Sequence, residues 1–246
     1  MCGPGAGSGA PGAVRDDAPG HPAPPRLALT APSRLALAAA FETAVTELDE
    51  AIVLLSACGV TDCLRLPVGV ADRLLLAAHR LVIGVDLEAV ARCEACGVLN
   101  SLSLGPDDVP PHRPRSAWCG PGAGVREPTC ADLLGLDADP VGAARQLLLR
   151  CSIGPSSVPR DEAALDRVEQ SLCGPVTVPC AECGVTVTTF VEVQHLVLQA
   201  VRAAVAEADV EVHLLASRYG WELKTIEQLP EARRTRLAAL ASGVPG

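Results

Sequence analysis

Two short cysteine motifs carry the chemistry most legible in the chain. Cys93-Glu94-Ala95-Cys96-Gly97 and Cys180-Ala181-Glu182-Cys183-Gly184 share the form Cys-x-x-Cys-Gly. A turn of this length can aim two thiolates at one ion, and zinc takes four soft or borderline ligands in a tetrahedron. Glycine after the second cysteine admits a positive φ, which leaves backbone N–H groups free to bond the sulfurs. One such motif is weak evidence; two, each with strand-like flanks, follow the grammar of a zinc ribbon. The 83 residues between Cys96 and Cys180 exceed the gap of a compact ribbon, so a helical insertion must intervene. The expectation is one structural zinc ion on Cys93, Cys96, Cys180 and Cys183. Two partial sites completed by other cysteines, a redox pair, or a metal-free remnant are the competing readings.

A thioredoxin-like redox role needs its Cys-x-x-Cys at a helix N-terminus, where the dipole lowers the thiol pKa. Strand-like sequence flanks both pairs here. Cys2, Cys58, Cys63, Cys119, Cys130, Cys151 and Cys173 have no partner at knuckle spacing and read as buried small hydrophobes or loop thiols. His79, His195 and His213 read as packed or surface histidines, since no His-Glu-x-x-His pattern occurs. The string Cys-Gly-Pro-Gly-Ala-Gly, at Cys2 and again at Cys119, lacks the Lys-Ser/Thr ending of a phosphate loop. No nucleophile elbow, dinucleotide fingerprint or paired acid motif is present, and Glu94 and Glu182 read as solvated. The expectation is therefore a non-enzyme with no catalytic residues and no small-molecule substrate.

The elements that must position the cysteines come from a chain of 246 residues that is 49% hydrophobic, ample for a core. With only five aromatic residues, that core must be built from Leu, Val and Ala, which favours helix. A formal charge of −9 argues against a nucleic-acid partner. No apolar run approaches the roughly 20 residues that span a bilayer, and the opening residues lack the pattern of a signal peptide, so no membrane association and a cytoplasmic location are expected. Eleven cysteines, an odd number in a chain of this size, then point to metal rather than disulfides.

Residues 1–33, rich in Gly, Pro and Ala, read as a disordered arm. One amphipathic helix is expected from Arg34 to Cys58, with Ser33 as N-cap and Gly59 as stop, and a second from about Val70 to Ile83. Strand–knuckle–strand patterns follow around Cys93–Gly97 and Cys180–Gly184. Between them lie a mobile Pro/Gly loop over 105–128, helical patterning over 130–151 and a short helix over 161–172. A long helix over 191–218 ends near Gly220, and two short helices split at Pro230 precede a tail over 242–246. Tyr219 and Trp221 should anchor that corner, with Lys224, Arg233, Arg234 and Arg236 solvated. The fold class is α+β: a single, predominantly helical domain over 34–241 with two strand–knuckle–strand units forming a small zinc-ribbon-like β element.

Several segments bear a family resemblance: LLSACG, LPVGVADRLLLAAHRLVIGVDLEAVARCEACG, PCAECG and HLLASRYGWELKTIEQLPEARRTRL. Together they resemble the T-even-type phage baseplate hub assembly chaperones, in the version found in bacterial phage-tail-like contractile injection clusters, over roughly residues 34–241. The resemblance implies a non-catalytic chaperone or adaptor that helps assemble a baseplate or hub and binds its proteins. Only the four knuckle cysteines carry over as site residues, as metal ligands. A zinc-ribbon adaptor in another complex is the alternative, and a thiol oxidoreductase a more distant one.

Overall fold

The computed structural model describes residues 14–16, 28–120, 122–155 and 162–243. Most of the expected 1–33 arm, Cys2, and 244–246 of the expected tail lie outside them. In chain order the elements are β1 (Val14–Asp16), α1 (Arg34–Phe41), α2 (Glu47–Ala57), α3 (Val68–Ile83), β2 (Leu87–Arg92), β3 (Leu99–Leu104), β4 (Arg115–Gly120), β5 (Ala123–Arg126), α4 (Pro140–Cys151), β6 (Ser152–Ile153), α5 (Ala163–Val168), β7 (Cys173–Pro179), β8 (Thr186–Glu192), α6 (Val193–Tyr219), α7 (Leu223–Glu227) and α8 (Glu231–Ser242). The chain is thus mixed helix and sheet, with every strand pairing antiparallel.

The single domain expected over 34–241 resolves into two compact units. One comprises 62–71 and 110–171 with the strand at 14–16; the other comprises 28–61, 72–109 and 172–243 of the described residues.

In the first unit β1, β4, β5 and β6 form one sheet in that order, with α5 packed on β4 and β5. Its core gathers Ala117, Val125, Cys151, Ala164 and Val168, all fully buried. The segment 105–128, expected to be a loop throughout, is corrected in its secondary structure: β4 and β5 form a hairpin with a bulge between Trp118 and Gly120. Two of its glycines shape the hairpin, one by conformation and one by close packing. Gly122 takes φ +69° in the connection, and a Cβ on Gly124 would sit 2.6 Å from the carbonyl oxygen of Ala117. At the edge of this unit the Gln170 side chain clips the backbone of Arg113, accepting from its N–H at 3.2 Å and donating to its carbonyl oxygen. Next to it, His112 Nε2 meets both carboxylate oxygens of the buried Glu127, at 2.7 and 2.9 Å.

In the second unit α6 packs against α1, α2, α7 and α8. Its buried stripe runs through Val197, Leu198, Val201, Val205, Ala208 and Leu215, at helical spacing. The single helix expected from Arg34 to Cys58 is two helices. Ser33 caps α1 as read, but Thr46 and Asp49 form a capping box that starts α2, with Asp49 N–H donating to Thr46 Oγ1 at 3.1 Å and Thr46 N–H to Asp49 Oδ2 at 3.0 Å. Satisfying those first-turn donors restarts the helix after the break at residues 42–46. Gly59, Gly84 and Gly220, with φ of +91°, +89° and +67°, follow α2, α3 and α6.

The solvated arginines expected near the C-terminus are also corrected at one position. Arg234 is buried, donating from Nε to Glu211 Oε2, while Glu211 Oε1 accepts from Thr235 Oγ1 at 2.7 Å. Arg34 of α1 joins this network through Glu211 and Glu231. Arg233 and Arg236 are exposed. Tyr219 and Trp221 stack with ring centroids 5.1 Å apart, Trp221 packing onto the cluster of Leu215, Ile226 and Ala238 while Tyr219 stays largely exposed.

Candidate metal centre

Each knuckle joins the two strands of a hairpin, and the pleat dictates where its cysteines go. In β2, Leu87, Ala89 and Ala91 alternate inward with Glu88, Val90 and Arg92 outward, so the next inward position is Cys93. In β7, Val176 and Val178 lie on the more covered face, and Cys180 continues that phase. Cys93 and Cys180 are buried; Cys96 and Cys183, three residues on around the turn, are exposed.

The two turns are built alike. Cys93 N–H donates to Val98 O at 2.8 Å and Gly97 N–H to Cys93 O at 2.8 Å; Cys180 N–H donates to Val185 O at 2.8 Å and Gly184 N–H to Cys180 O at 2.9 Å. Gly97 and Gly184 adopt φ of +76° and +73°, the conformation the sequence required of them. β2 of one hairpin lies alongside β8 of the other, and Ala91 and Val187 close over the two buried sulfurs.

The structure thus brings together all four cysteines singled out from spacing. Their Sγ atoms lie within 4.8 Å of one another, with Cys93 to Cys183 at 3.7 Å and Cys96 to Cys180 at 3.6 Å. Zinc–sulfur bonds of about 2.3 Å in a tetrahedron put sulfurs about 3.8 Å apart, so the spacing fits one tetrahedral ion. Electrostatics agrees. The backbone N–H groups of Cys183 and Glu182 lower the Cys180 thiol to about 6. At Cys96 the Val98 N–H also favours the thiolate, but desolvation and the three neighbouring sulfurs outweigh it and push the thiol up to about 12. Four thiols this close resist losing all their protons unless a cation sits among them.

Comparison with protein-family models, curated proteins and solved structures gives no match. The reading of the centre therefore rests on its own geometry. Four cysteines gathered this closely can hold a metal ion, and they are the one such cluster among the described residues.

Sequence reasoning missed Asn100. Its Oδ1 accepts from Ala181 N–H at 2.9 Å, a direct bond from the first hairpin into the second knuckle, while its Nδ2 donates to Val98 O at 3.2 Å. The available signal was a polar residue at an inward phase of β3, opposite Ala91, where a buried amide needs specific partners. Arg92 adds a bond from Nη1 to Gly97 O at 3.1 Å, bracing the first turn.

The remaining sequence candidates lie elsewhere. His79 is buried with Nδ1 on Val85 O at 3.1 Å, and burial holds its pKa below the ordinary value. His195 is exposed and reaches Glu47 at 3.0 Å; His213 is exposed too. Burial pushes the Cys58 and Cys151 thiols up to about 11, as befits inert packing groups. Cys63 and Cys130 are buried, Cys119 is half-buried and Cys173 exposed. Glu94 and Glu182 are exposed.

Proposed function

We propose that Cys93, Cys96, Cys180 and Cys183 hold one structural zinc ion, making the paired hairpins a zinc-ribbon-like unit. On this reading the chain is a non-catalytic, cytoplasmic assembly factor for the baseplate or hub of a phage tail or phage-tail-like contractile injection system. The observation that carries the metal is the convergence of four thiols from knuckles 84 positions apart on one tetrahedral spacing. An all-thiolate set that includes both halves of two hairpins suits zinc, and its folding free energy would come from binding.

The assembly role rests on the family resemblance of the segments around these cysteines and on the surface the centre would stiffen. Val90 and Leu99 on the first hairpin and Val185 and Phe190 on the second are exposed, a surface suited to a protein partner. Leu223 beside the Tyr219–Trp221 stack is exposed as well. No described helix is long and apolar enough to cross a membrane.

Affinity purification of the tagged chain from cells expressing a complete contractile cluster tests the role. Baseplate or hub proteins should co-purify. Their absence, with those proteins present in the lysate, would overturn the assembly role, and recovery of a transcription complex would favour the adaptor reading. Turnover in an insulin-reduction assay would instead establish a thiol oxidoreductase.

A further inference from the structure

Each exposed sulfur of the centre faces a buried sulfur of the opposite hairpin. Cys96 lies 3.6 Å from Cys180, and Cys183 lies 3.7 Å from Cys93. Each turn is closed by a pair of backbone bonds, which fixes the path of the chain between its two cysteines. Building on the reading of these residues as one metal centre, we infer that a hydroperoxide converts it into two disulfides running between the hairpins, Cys96–Cys180 and Cys93–Cys183, with release of the ion. The centre is then a redox-responsive fastening: metal when reduced, covalent when oxidised.

The chemistry balances without any further component. As a ligand of the proposed ion Cys96 is a thiolate, and from its exposed position it attacks one oxygen of hydrogen peroxide; an S–O bond forms, the O–O bond breaks, and the departing hydroxide takes up a proton from solvent to become water. The Cys180 thiolate then attacks the sulfenic sulfur; an S–S bond forms, the S–O bond breaks, and a second hydroxide leaves as water. The two sulfurs together lose two electrons and the peroxide gains them. Cys183 and Cys93 repeat the sequence with a second peroxide. Once two thiolates are consumed the donor set no longer holds a divalent cation, since the thiolate is the ligand. Closing each pair to about 2.0 Å requires less than 2 Å of approach. Asn100, through its bond to Ala181, holds the hairpins in register while this happens.

Exposure explains why reaction begins at Cys96 and Cys183. Burial of Cys93 and Cys180 shields them from the oxidant and reserves them for the resolving step.

The knuckles themselves provide the means of reading the pairing. Glu94 lies between Cys93 and Cys96, and Glu182 between Cys180 and Cys183, so a protease that cuts after glutamate separates the members of each motif. The full chain, purified without chelator, is assayed for zinc, treated with two equivalents of hydrogen peroxide, assayed again, then digested without reductant and mapped by mass spectrometry. Zinc should fall from about one per chain to near zero, the linked peptides should be Cys93 with Cys183 and Cys96 with Cys180, and a thiol reductant with added zinc should restore the starting state. Disulfides within the motifs, or zinc retained after peroxide, would overturn the inference. Zinc absent from the untreated protein would instead sink the metal reading, and the pairing map would still decide the cross-links.

Discussion

Arg234 Nε donates to Glu211 Oε2 at 2.9 Å, and through it α8 is joined to α6 by a charge pair in which the arginine side chain is only 2% exposed. Glu211 serves three partners at once, since Thr235 and Arg34 also reach its other oxygen. Removing one member of a buried pair strands the other charge, which costs more than the pair contributes.

Glu211→Ala is therefore expected to lower stability by about 3–5 kcal/mol. Replacing both groups, Glu211→Leu with Arg234→Met, should recover much of that loss because no charge is left unpaired. Urea unfolding midpoints of the two variants compare them directly; a double variant worse than the single would refute this account.

Substituting Cys93 and Cys96 with Ser should destabilise the protein about as much as substituting Cys180 and Cys183, and all four together little more. On the proposed shared site, losing either half abolishes the same metal-binding free energy, so the losses cannot add. Thermal melts with zinc analysis of each variant test it. Additive losses would indicate two separate sites.

Asp132 carries a pH signature. Desolvation opposes its ionisation, but the Arg126 guanidinium, at 2.7 and 2.9 Å, and Thr129 outweigh it and hold the carboxyl at about 2 against an ordinary 3.8. A folded pKa below the unfolded one means a contribution complete above the unfolded value and lost as pH falls from about 4 toward 2. Asp132→Asn should remove that acid-side slope while changing the neutral-pH slope little. Stability measured every half unit from pH 2 to 7 would show whether the slope survives the substitution.

Trp221→Ala is expected to cost more than Tyr219→Ala. Trp221 packs on Leu215, Ile226 and Ala238, whereas Tyr219 loses chiefly the stacking contact, worth about 0.5–1.5 kcal/mol. Truncating a fully buried Trp costs about 3–5 kcal/mol, and this half-buried one should fall near the lower end. If the terminal helices present the partner surface, the Trp221 variant should also reduce sheathed particles counted by electron microscopy. Unchanged counts would remove the corner from the assembly role.

The four-cysteine cluster was the most legible part of the chain because its signal is local: two five-residue motifs with strand-forming flanks. α3, α6 and the break at Pro230 were legible for the same reason, since helical periodicity is carried by neighbours in sequence. The β4–β5 hairpin was not, because the close approach of Gly124 to the Ala117 carbonyl oxygen exists only once Gly124 is paired with Trp118. Asn100 and Arg234 were hidden for a related reason. A polar residue in an otherwise regular element looks solvated until its distant partner, Ala181 or Glu211, is known. The start of α2 was readable and overlooked, for Thr46-x-x-Asp49 is a local cap signal.

The clip between Gln170 and Arg113 bears on how quickly the centre can form. Nascent Cys93 and Cys96 leave the ribosome long before Cys180 and Cys183, and bringing the knuckles together means closing a loop of 83 residues. Once Gln170 has fastened onto Arg113, the chain from 113 to 170 no longer counts as slack, and only about 27 residues remain between Cys96 and Cys180 as free tether. By the logarithmic dependence of closure entropy on length, that shortening lowers the cost of meeting by about 1 kcal/mol. An inserted unit that folds first would thus let the four cysteines meet at a smaller entropic cost.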